Sequence, residues 1–475
     1  MSGRAATDRV IRGRAAVSVN DPGHPTPLGW SRVALTDVAD LGTGHTPSRH
    51  KPEYWDGDIG WIGIRDAGAH HGGVIHETNQ TITPLGVENS AARLLPKDTI
   101  CLSRTASVGY VVKMGAPMTT SQDFVTWSCT EALEPDYLLQ ALLAEGNEIR
   151  RFGEGSTHTT IYFPAVKAFT IDLPPRAEQH RIVAKLDSLK ARLARTRAEL
   201  ERVPLLVAKL RQTTLARAFA GDLSTDWRAR EGSSMQDWRT CPLSDIADVQ
   251  GGIQVGKKRP AGVTLVEVPY LRVANVQRGW LRLNEIKRLA VTAEERDRLL
   301  LKDGDILMNE GGDRDKLGRG WVWREEVPGC IHQNHVFRVR LRDPDFPPEF
   351  VSHYANEFGQ AYFIDQGTQT TNLASISKRR VMALPVPVPP AAEAREIVRL
   401  ITAAFARADR LEAEAARARA LLDRLEAAIL AKAFRGELVP QDPNDEPASV
   451  LLDRIRAERA AAPKPKRGRA RKTVG

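Results

Sequence analysis

The chain is written twice. Leu215-Ala-Arg-Ala-Phe-Ala-Gly-Asp-Leu223 returns as Leu430-Ala-Lys-Ala-Phe-Arg-Gly-Glu-Leu438, and Pro174-Pro-Arg-Ala-Glu178 as Pro389-Pro-Ala-Ala-Glu393, both at a shift of 215. Trp30 to Asp40 matches Trp238 to Asp248 at a shift of 208. Gln122 before Phe124 and Gln333 before Val336-Phe337 sit at comparable places, as do the polar strings that start at Gly155 and Gly367. An internal repeat constrains the fold before any local pattern does, because each copy must be one structural unit. One copy covers about 28–223 and the other about 236–438.

Each copy has a front and a back. The fronts, 28–173 and 236–388, hold short runs rich in Val, Ile, Phe and Tyr between Gly, Pro and Asp, such as Ile59-GWIGI and Val336-FRVRL, with helical stretches such as Pro135-Asp-Tyr-Leu-Leu. They read as α+β globules. The backs follow a Pro-Pro pair and consist of Ala, Arg, Leu and Glu. In the first, Ile182, Leu186, Leu189, Leu193, Thr196, Leu200, Val203, Val207, Leu210 and Thr214 alternate steps of four and three. In the second, Ile397, Ile401, Ala404, Ala408, Leu411, Ala415, Ala418, Leu422, Leu425 and Ile429 repeat the same register. That is the spacing of a coiled-coil seam. A helix of about 37 residues would span roughly 55 Å and cannot stand on its own propensity. Two such helices in one chain are expected to pair antiparallel about a pseudo-twofold axis, with Leu193 near Ala418 and Leu186 near Leu425. Pro204, where the second copy has Arg419, is expected to kink or break the first helix near Glu201 and Arg202.

The expected division is a disordered segment at 1–27, a globule at 28–173, a long helix at 174–223, a linker at 224–235, a second globule at 236–388 and a second long helix at 389–438. A linker and a helix near Ala448 to Ala461 occupy 439–462. The basic tail at 463–475, with two prolines and no acid, reads as disordered and free to touch phosphates or nothing.

Lys and Arg number 68 against 59 Asp and Glu, a net charge of +9 that leans toward a polyanionic partner. No run approaches the 18 apolar residues of a membrane span, so the chain reads as cytoplasmic. Cys101, Cys129, Cys241 and Cys330 lack ligand or pairing spacing and read as reduced packing residues. Catalytic signatures fail one by one. Gly251-Gly-Ile-Gln-Val-Gly256-Lys257-Lys258 imitates a phosphate loop but has Lys258 in place of the magnesium-binding hydroxyl, and Pro260 follows where a helix should begin. No Asn-Pro-Pro-Tyr or Asp-Pro-Pro-Tyr string grips a base, Glu285-Ile-Lys287 is half of a nuclease signature, and His70, His71 and His76 have no metal-ligand company. No cofactor is expected on this chain.

The fronts instead carry polar loop residues suited to DNA. Arg49, Lys51, Ser103, Arg104, Thr105, Gln122, Thr157 and Thr159 lie in the first, and Lys257, Lys258, Arg259, Asn309, Arg314, Lys316, Arg319, Gln333, Asn334, Gln369 and Thr370 in the second. Arg and Lys suit guanine and phosphate, Asn and Gln suit adenine, and Ser and Thr adapt to either. Any one of them alone reads equally as a solvated loop residue. A coiled-coil scaffold without DNA readout is the competing reading.

The chain resembles the specificity subunit of type I restriction-modification systems. The resemblance rests on the globule-helix-globule-helix duplication, on LPPRAEQHRIVAKL at Leu173 to Leu186 with LARAFAGDL at Leu215 to Leu223, on their second copies VPPAAEAREIVRL and LAKAFRGEL, and on the ending EPASVLLDRIRAER459. Ala394 departs from Gln179. The resemblance implies a non-catalytic subunit whose fronts are target recognition domains, each reading half of a bipartite double-stranded DNA target. It also implies paired helices that space the halves and dock two modification (methyltransferase) subunits. S-adenosylmethionine belongs to those partners, ATP and Mg to any restriction subunits, and no membrane is involved.

Overall fold

The structure, a computed structural model, describes residues 7–461 except 22, 24, 106, 155–158, 257–261, 313–315 and 370–373. It has two compact units, Met1–Leu200 with Ala418–Gly475, and Glu201–Arg417. Each unit therefore joins one globule to the start of the long helix that follows it and to the end of the other long helix. The helices span Arg176–Phe219 and Ala391–Ala433.

In the first unit a five-stranded sheet runs in the order Ala39–Thr43, Phe124–Cys129, Ile100–Ser103, Val111–Met114, Val74–Ile75, antiparallel except for the last pair. A smaller sheet places Trp55–Ile62 between Thr119–Thr120, parallel to it, and Gln80–Ile82, antiparallel to it. Helix Pro135–Glu145 opens on a proline, which costs nothing at a helix start, and buries Tyr137, Leu138, Ala141 and Leu142. The second unit repeats this order. Ala247–Gly251, Val336–Leu341, Ile306–Asn309 and Gly320–Val322 form the antiparallel sheet. Val266–Leu271 lies between a parallel Ile331–His332 and an antiparallel Lys287–Val291.

The segment 1–27 is not disordered throughout, as the sequence suggested. Ile11–Arg12 and Val17–Val19 form two strands beside Phe169–Leu173, and Val17 and Val19 are buried. The buried Glu145 carboxylate anchors them by accepting the backbone N–H groups of Arg14, Ala15, Ala16 and Val17. This partner lies about 130 residues away, so no local pattern in an Arg-rich segment announces it. The linker 224–235 holds a helix, Thr225–Glu231. The C-terminal helix is Ala448–Ala461, with Leu451, Leu452 and Ile455 in the first unit's core. The tail from 463 lies outside the described residues.

The start of each long helix is tied down in the same way. Trp30 Nε1 donates to Glu178 Oε2 at 3.1 Å, and Trp238 Nε1 to Glu393 Oε2 at 2.9 Å. The free oxygens differ. Glu393 Oε1 accepts from Arg228 Nη1 at 2.6 Å and Ser224 Oγ at 2.7 Å, whereas the buried Glu178 Oε1 has no partner among the described residues. Burial raises the Glu178 pKa, against the lowering effect of the Trp30 hydrogen bond and Arg181. Gln179 is also buried, accepting from Glu134 N and donating to the carbonyls of Ala132 and Pro174. Its counterpart Ala394 is simply packed apolar core.

The helices run antiparallel in each unit. Arg197 Nη2 meets Asp423 and Glu426 at 2.7 Å in the first. Arg211 Nη2 meets Asp409 at 2.5 Å and Glu412 at 3.0 Å in the second. Exposed pairs like these contribute about 0.2–1 kcal/mol each and mainly set register. Among the seam residues, Ile182, Leu186, Leu193, Ile397 and Ile401 are buried, and Leu189, Leu200, Leu422 and Ile429 are half-buried. Leu210, Leu411 and Leu425 are exposed by 37%, 41% and 49%, which corrects the seam reading there. Leu186, the expected partner of Leu425, is drawn into the first unit's core instead, which leaves Leu425 at the rim; Ile401 enters the second unit's core in the same way.

The first long helix also runs unbroken through Pro204. A proline has no N–H for the carbonyl four residues earlier, here Leu200. Arg419 Nη2 donates to that oxygen at 2.5 Å. The position where the copies differ thus carries its own repair: the arginine of one copy satisfies the acceptor that the proline of the other leaves open.

These contacts make three stability predictions. Arg419→Ala should cost about 1–3 kcal/mol in denaturant titration by stranding the Leu200 carbonyl, and should cost much less in a Pro204→Ala background, where an amide is restored. Equal losses in both backgrounds would show that the arginine acts otherwise. Glu393→Gln should destabilise by about 3–5 kcal/mol because it leaves the Arg228 charge buried and unpaired. Glu178→Gln keeps an acceptor for Trp30 and removes an unfavourably buried charge. A raised carboxyl pKa means that the stability present at acid pH is lost as pH rises from the ordinary 4.5 through the folded-state value. Glu178→Gln should remove that decline, as read from melting temperature against pH.

Candidate nucleic-acid interface

In both units the strand ends converge on one turn. The pair Phe124 with Ser103 corresponds to Val336 with Asn309. Counting back from it aligns Ser121, Gln122 and Asp123 with Gln333, Asn334 and His335. The backbone agrees at every step. Ser121 N donates to Ile62 O, and Gln333 N to Leu271 O; Arg104 N donates to Asp123 O, and Glu310 N to His335 O. A loop then crosses beside this turn, held by His45 N to Thr120 O in one unit and Ile253 N to His332 O in the other, each at 2.9 Å. The crossing needs glycine. A Cβ on Gly44 would lie 2.0 Å from Thr120 O, and one on Gly252 would lie 2.1 Å from His332 O.

The first unit dresses this frame with cations and aromatics. Thr46 Oγ1 donates to Gln122 Oε1 at 2.5 Å, and Arg104 Nη2 to Gln122 O at 3.1 Å. Thr105 Oγ1 donates to Asp123 Oδ1 at 2.6 Å and Ser121 Oγ to Asp123 Oδ2 at 3.0 Å. The Arg104 guanidinium lies 5.1 Å from the Phe163 ring. Burial lowers its pKa while Asp123 raises it, and an arginine stays charged throughout. Exposed Arg49 sits over Trp55 at 4.7 Å and Trp61 at 5.7 Å, and donates to Gln80 Oε1 at 3.2 Å. Lys51 lies 3.5 Å from Glu53 and 5.9 Å from the Tyr54 ring. Thr159 precedes Ile161, whose amide bonds the Arg104 carbonyl, so it borders the same loops.

The second unit carries different side chains on the same frame. His335 Nδ1 lies 2.7 Å from Glu310 Oε2, and Asn334 Nδ2 lies 3.4 Å from His335 Nε2. Arg319 Nη2 reaches Val273 O at 3.4 Å, and Lys316 is half-buried nearby in sequence. Gln369 lies in the short strand Thr368–Gln369. Thr157, Lys257, Lys258, Arg259, Arg314 and Thr370 lie outside the described residues.

Two candidates leave the accessible set. Ser103 is fully buried, donating to Ser107 O at 2.5 Å and accepting from Tyr110 N at 2.9 Å. Asn309, at the equivalent position, is also fully buried and donates to the carbonyls of Val273 and Val276. Both end a central strand buried on its two faces, where a polar side chain turns to nearby backbone, although Asn309 Oδ1 has no partner among the described residues. They shape the loops. Conversely, Thr46, Trp55, Trp61, Asp123, Phe163, Glu310 and His335 went unnoticed in the sequence. The one available signal was the 208-residue shift, which carries Gly44 onto Gly252.

Near the imitation phosphate loop, Ala247–Gly251 is an edge strand and Gly252 packs on the His332 carbonyl. Among the described residues no helix begins between Gly251 and Ala293, so no helix N-terminus points at a phosphate there. Among the described residues no cluster of His, Cys, Asp and Glu could hold a metal ion, and no helix is long and apolar enough to cross a membrane. The four cysteines are unpaired, and burial pushes the Cys129 and Cys330 thiols up to about 12.

In the first unit the turn is fixed by backbone and fringed by Arg49 over two indole faces and by the Gln122 amide. Residues 27–204 match the family described as Type I restriction modification DNA specificity domain. Over nearly its whole length the chain is similar to type I restriction-modification specificity subunits. It is 26% identical to the EcoKI specificity subunit of Escherichia coli K12 over 92% of this chain and 97% of that one. The fold is shared with the HsdS subunit from Thermoanaerobacter tengcongensis, with a TM-score of 0.59 and 20% identity over 88% of this chain and all of that one. It is also shared with a chain from a structure concerned with complex assembly and conformational transition of the type I R-M system, with a TM-score of 0.62 and 21% identity at the same coverage.

The geometry separates two kinds of variant. Arg49→Ala should weaken DNA binding roughly tenfold at moderate salt and flatten the salt dependence by about one unit of slope, with the melting temperature unchanged. Asn309→Ala should do the reverse, costing about 1–3 kcal/mol of stability and leaving sequence preference intact. A change of preferred sequence in Asn309→Ala would return that residue to the reading surface.

Proposed function

We propose that the chain is the non-catalytic specificity subunit of a type I restriction-modification complex, in which each globular domain reads one half of a bipartite, asymmetric DNA target. The observation that carries this reading is the occurrence, twice in one chain, of one backbone frame with different side chains: Arg104, Gln122 and Asp123 in one copy, Glu310, Asn334 and His335 in the other. A shared frame argues for a shared task, and the divergent side chains argue for different half-sites.

On this reading the long helices are the ruler between the half-sites and the platform for two modification subunits. Those subunits supply S-adenosylmethionine and the methyl transfer to adenine. ATP- and Mg-dependent restriction subunits would complete a cutting form. The chain itself binds no cofactor and works in the cytoplasm, where the DNA is.

Methylation mapping in a host that carries the chain with its modification partner tests the proposal, with a split motif as the expected product. Replacing 236–388 with the corresponding domain of another such subunit should change one half of the motif only. Adding one heptad to each helix should lengthen the spacer and leave both halves as they were. Methylation without a split motif, or no enrichment of any sequence from random duplexes, would favour a scaffold without DNA readout.

A further inference from the structure

We propose that Gln122 and Asn334 are the equivalent base-reading residues of the two domains, and that each reads an adenine in the major groove of its own half-site. This rests on the function proposed above and makes it specific to two side chains.

The argument begins with position. Gln122 and Asn334 are the middle residues of the same turn, two places before the strands Phe124–Cys129 and Val336–Leu341. The backbone around them is committed. The residue before donates its amide to the neighbouring strand, and the residue after gives its carbonyl to residue 104 or 310. Gln122 adds its own carbonyl as acceptor for Arg104, and Asn334 adds its amide as donor to the Ile253 carbonyl at 2.8 Å. A side chain on such a turn is presented without the freedom of a mobile loop, which is what discrimination between bases requires.

The second step is chemistry. The candidates differ widely between the two domains, and residues 104 and 310 even have opposite charge. At this position, however, both copies carry a carboxamide. A carboxamide offers one donor and one acceptor side by side, matching N7 and the N6 amino group of adenine, and no other single base presents both on its major-groove edge. Each amide is half engaged within the protein. Gln122 Oε1 accepts from Thr46 Oγ1, which fixes the orientation of the group and leaves the oxygen's second lone pair and both Nε2 hydrogens for a base. Asn334 uses Nδ2 toward His335 Nε2 and keeps Oδ1 for a base. The surrounding glycine crossings, Gly44 and Gly252, bring the neighbouring loop against the turn and so hold Thr46 within reach of Gln122.

The test uses the full chain with its modification subunits, selecting bound duplexes from a random pool for the wild type, Gln122→Ala, Asn334→Ala and Gln122→Arg. The wild type should return a split motif with an adenine in each half whose preference falls roughly tenfold to hundredfold in the matching alanine variant, and only there. Gln122→Arg should move that one position toward guanine. Thr46→Ala should weaken the same preference less than Gln122→Ala does. Melting temperatures of the complexes separate misfolding from lost readout, because side chains on this turn, exposed at Gln122 and half-buried at Asn334, lie outside the cores and should change them little. Preference unchanged in both alanine variants, or relaxed at a base other than adenine, would overturn the inference and leave the bipartite reading in place. Failure of the wild type to return any split motif would instead remove the function on which it rests.

Discussion

A buried carboxylate in the first turn of each long helix holds the molecule's parts together. Glu178 and Glu393 are the third residues of their helices, where unpaired backbone N–H groups and the positive end of the helix dipole favour an anion. Each takes the indole N–H of a tryptophan at the entry of its globule. Helix and globule are thereby fixed at a short, directional contact, and the apolar residues that follow, Ile182 and Leu186 or Ile397 and Ile401, enter the globule core. A helix of this length needs more than its own hydrogen bonds. Its first turns obtain that support from a core, and its middle from the antiparallel partner.

The two copies reach the same end by unlike means. Arg228 and Ser224 complete the partners of Glu393, and they come from the segment that follows the first helix. In the first unit the segment that follows the second helix occupies the corresponding region. There Asp445 pairs with Arg181 at 2.5 Å, and Ala448 N donates to Gly29 O. No arginine enters, Glu178 Oε1 keeps no partner among the described residues, and burial raises its pKa. Gln179 compensates nearby with three hydrogen bonds where Ala394 makes none. The extra strands Ile11–Arg12 and Val17–Val19 widen the sheet of the first unit, while the second closes with Arg239–Pro242 on Pro385–Val388 alone.

Much of this was legible in the sequence because it is local or repeated. The Pro-Pro entries mark where the helices begin, the heptads give their extent, and the shift of 215 pairs Pro204 with Arg419. The sequence could not show that the pairing is a repair, since a proline in a helical run normally signals a break and the donor lies on the other helix. Long-range anchoring was equally hidden: nothing near Val17 points to Glu145. Ser103 and Asn309 looked like loop residues because Ile100–Ser103 and Ile306–Asn309 are buried on both faces and so lack the alternation that tells inside from outside. The frame of the candidate interface was visible only as the repeated glycine, because the turn is assembled from segments some 80 residues apart.

The most informative difference between the copies is the exchange of charge across that turn. The first unit has cationic Arg104 on the strand side and anionic Asp123 in the turn; the second has Glu310 on the strand side and His335 in the turn, 2.7 Å apart. A carboxylate faces a nitrogen group across the turn in both copies, so the frame tolerates the exchange, yet the side of the amide on which the carboxylate stands reverses. On the proposed reading, a base edge meets the carboxylate and the nitrogen donor on opposite sides of the amide in the two domains. Base pairs differ in the major groove by the order of donors and acceptors, so under the proposed function such an exchange would make the two halves of a target unlike while the backbone frame stays the same.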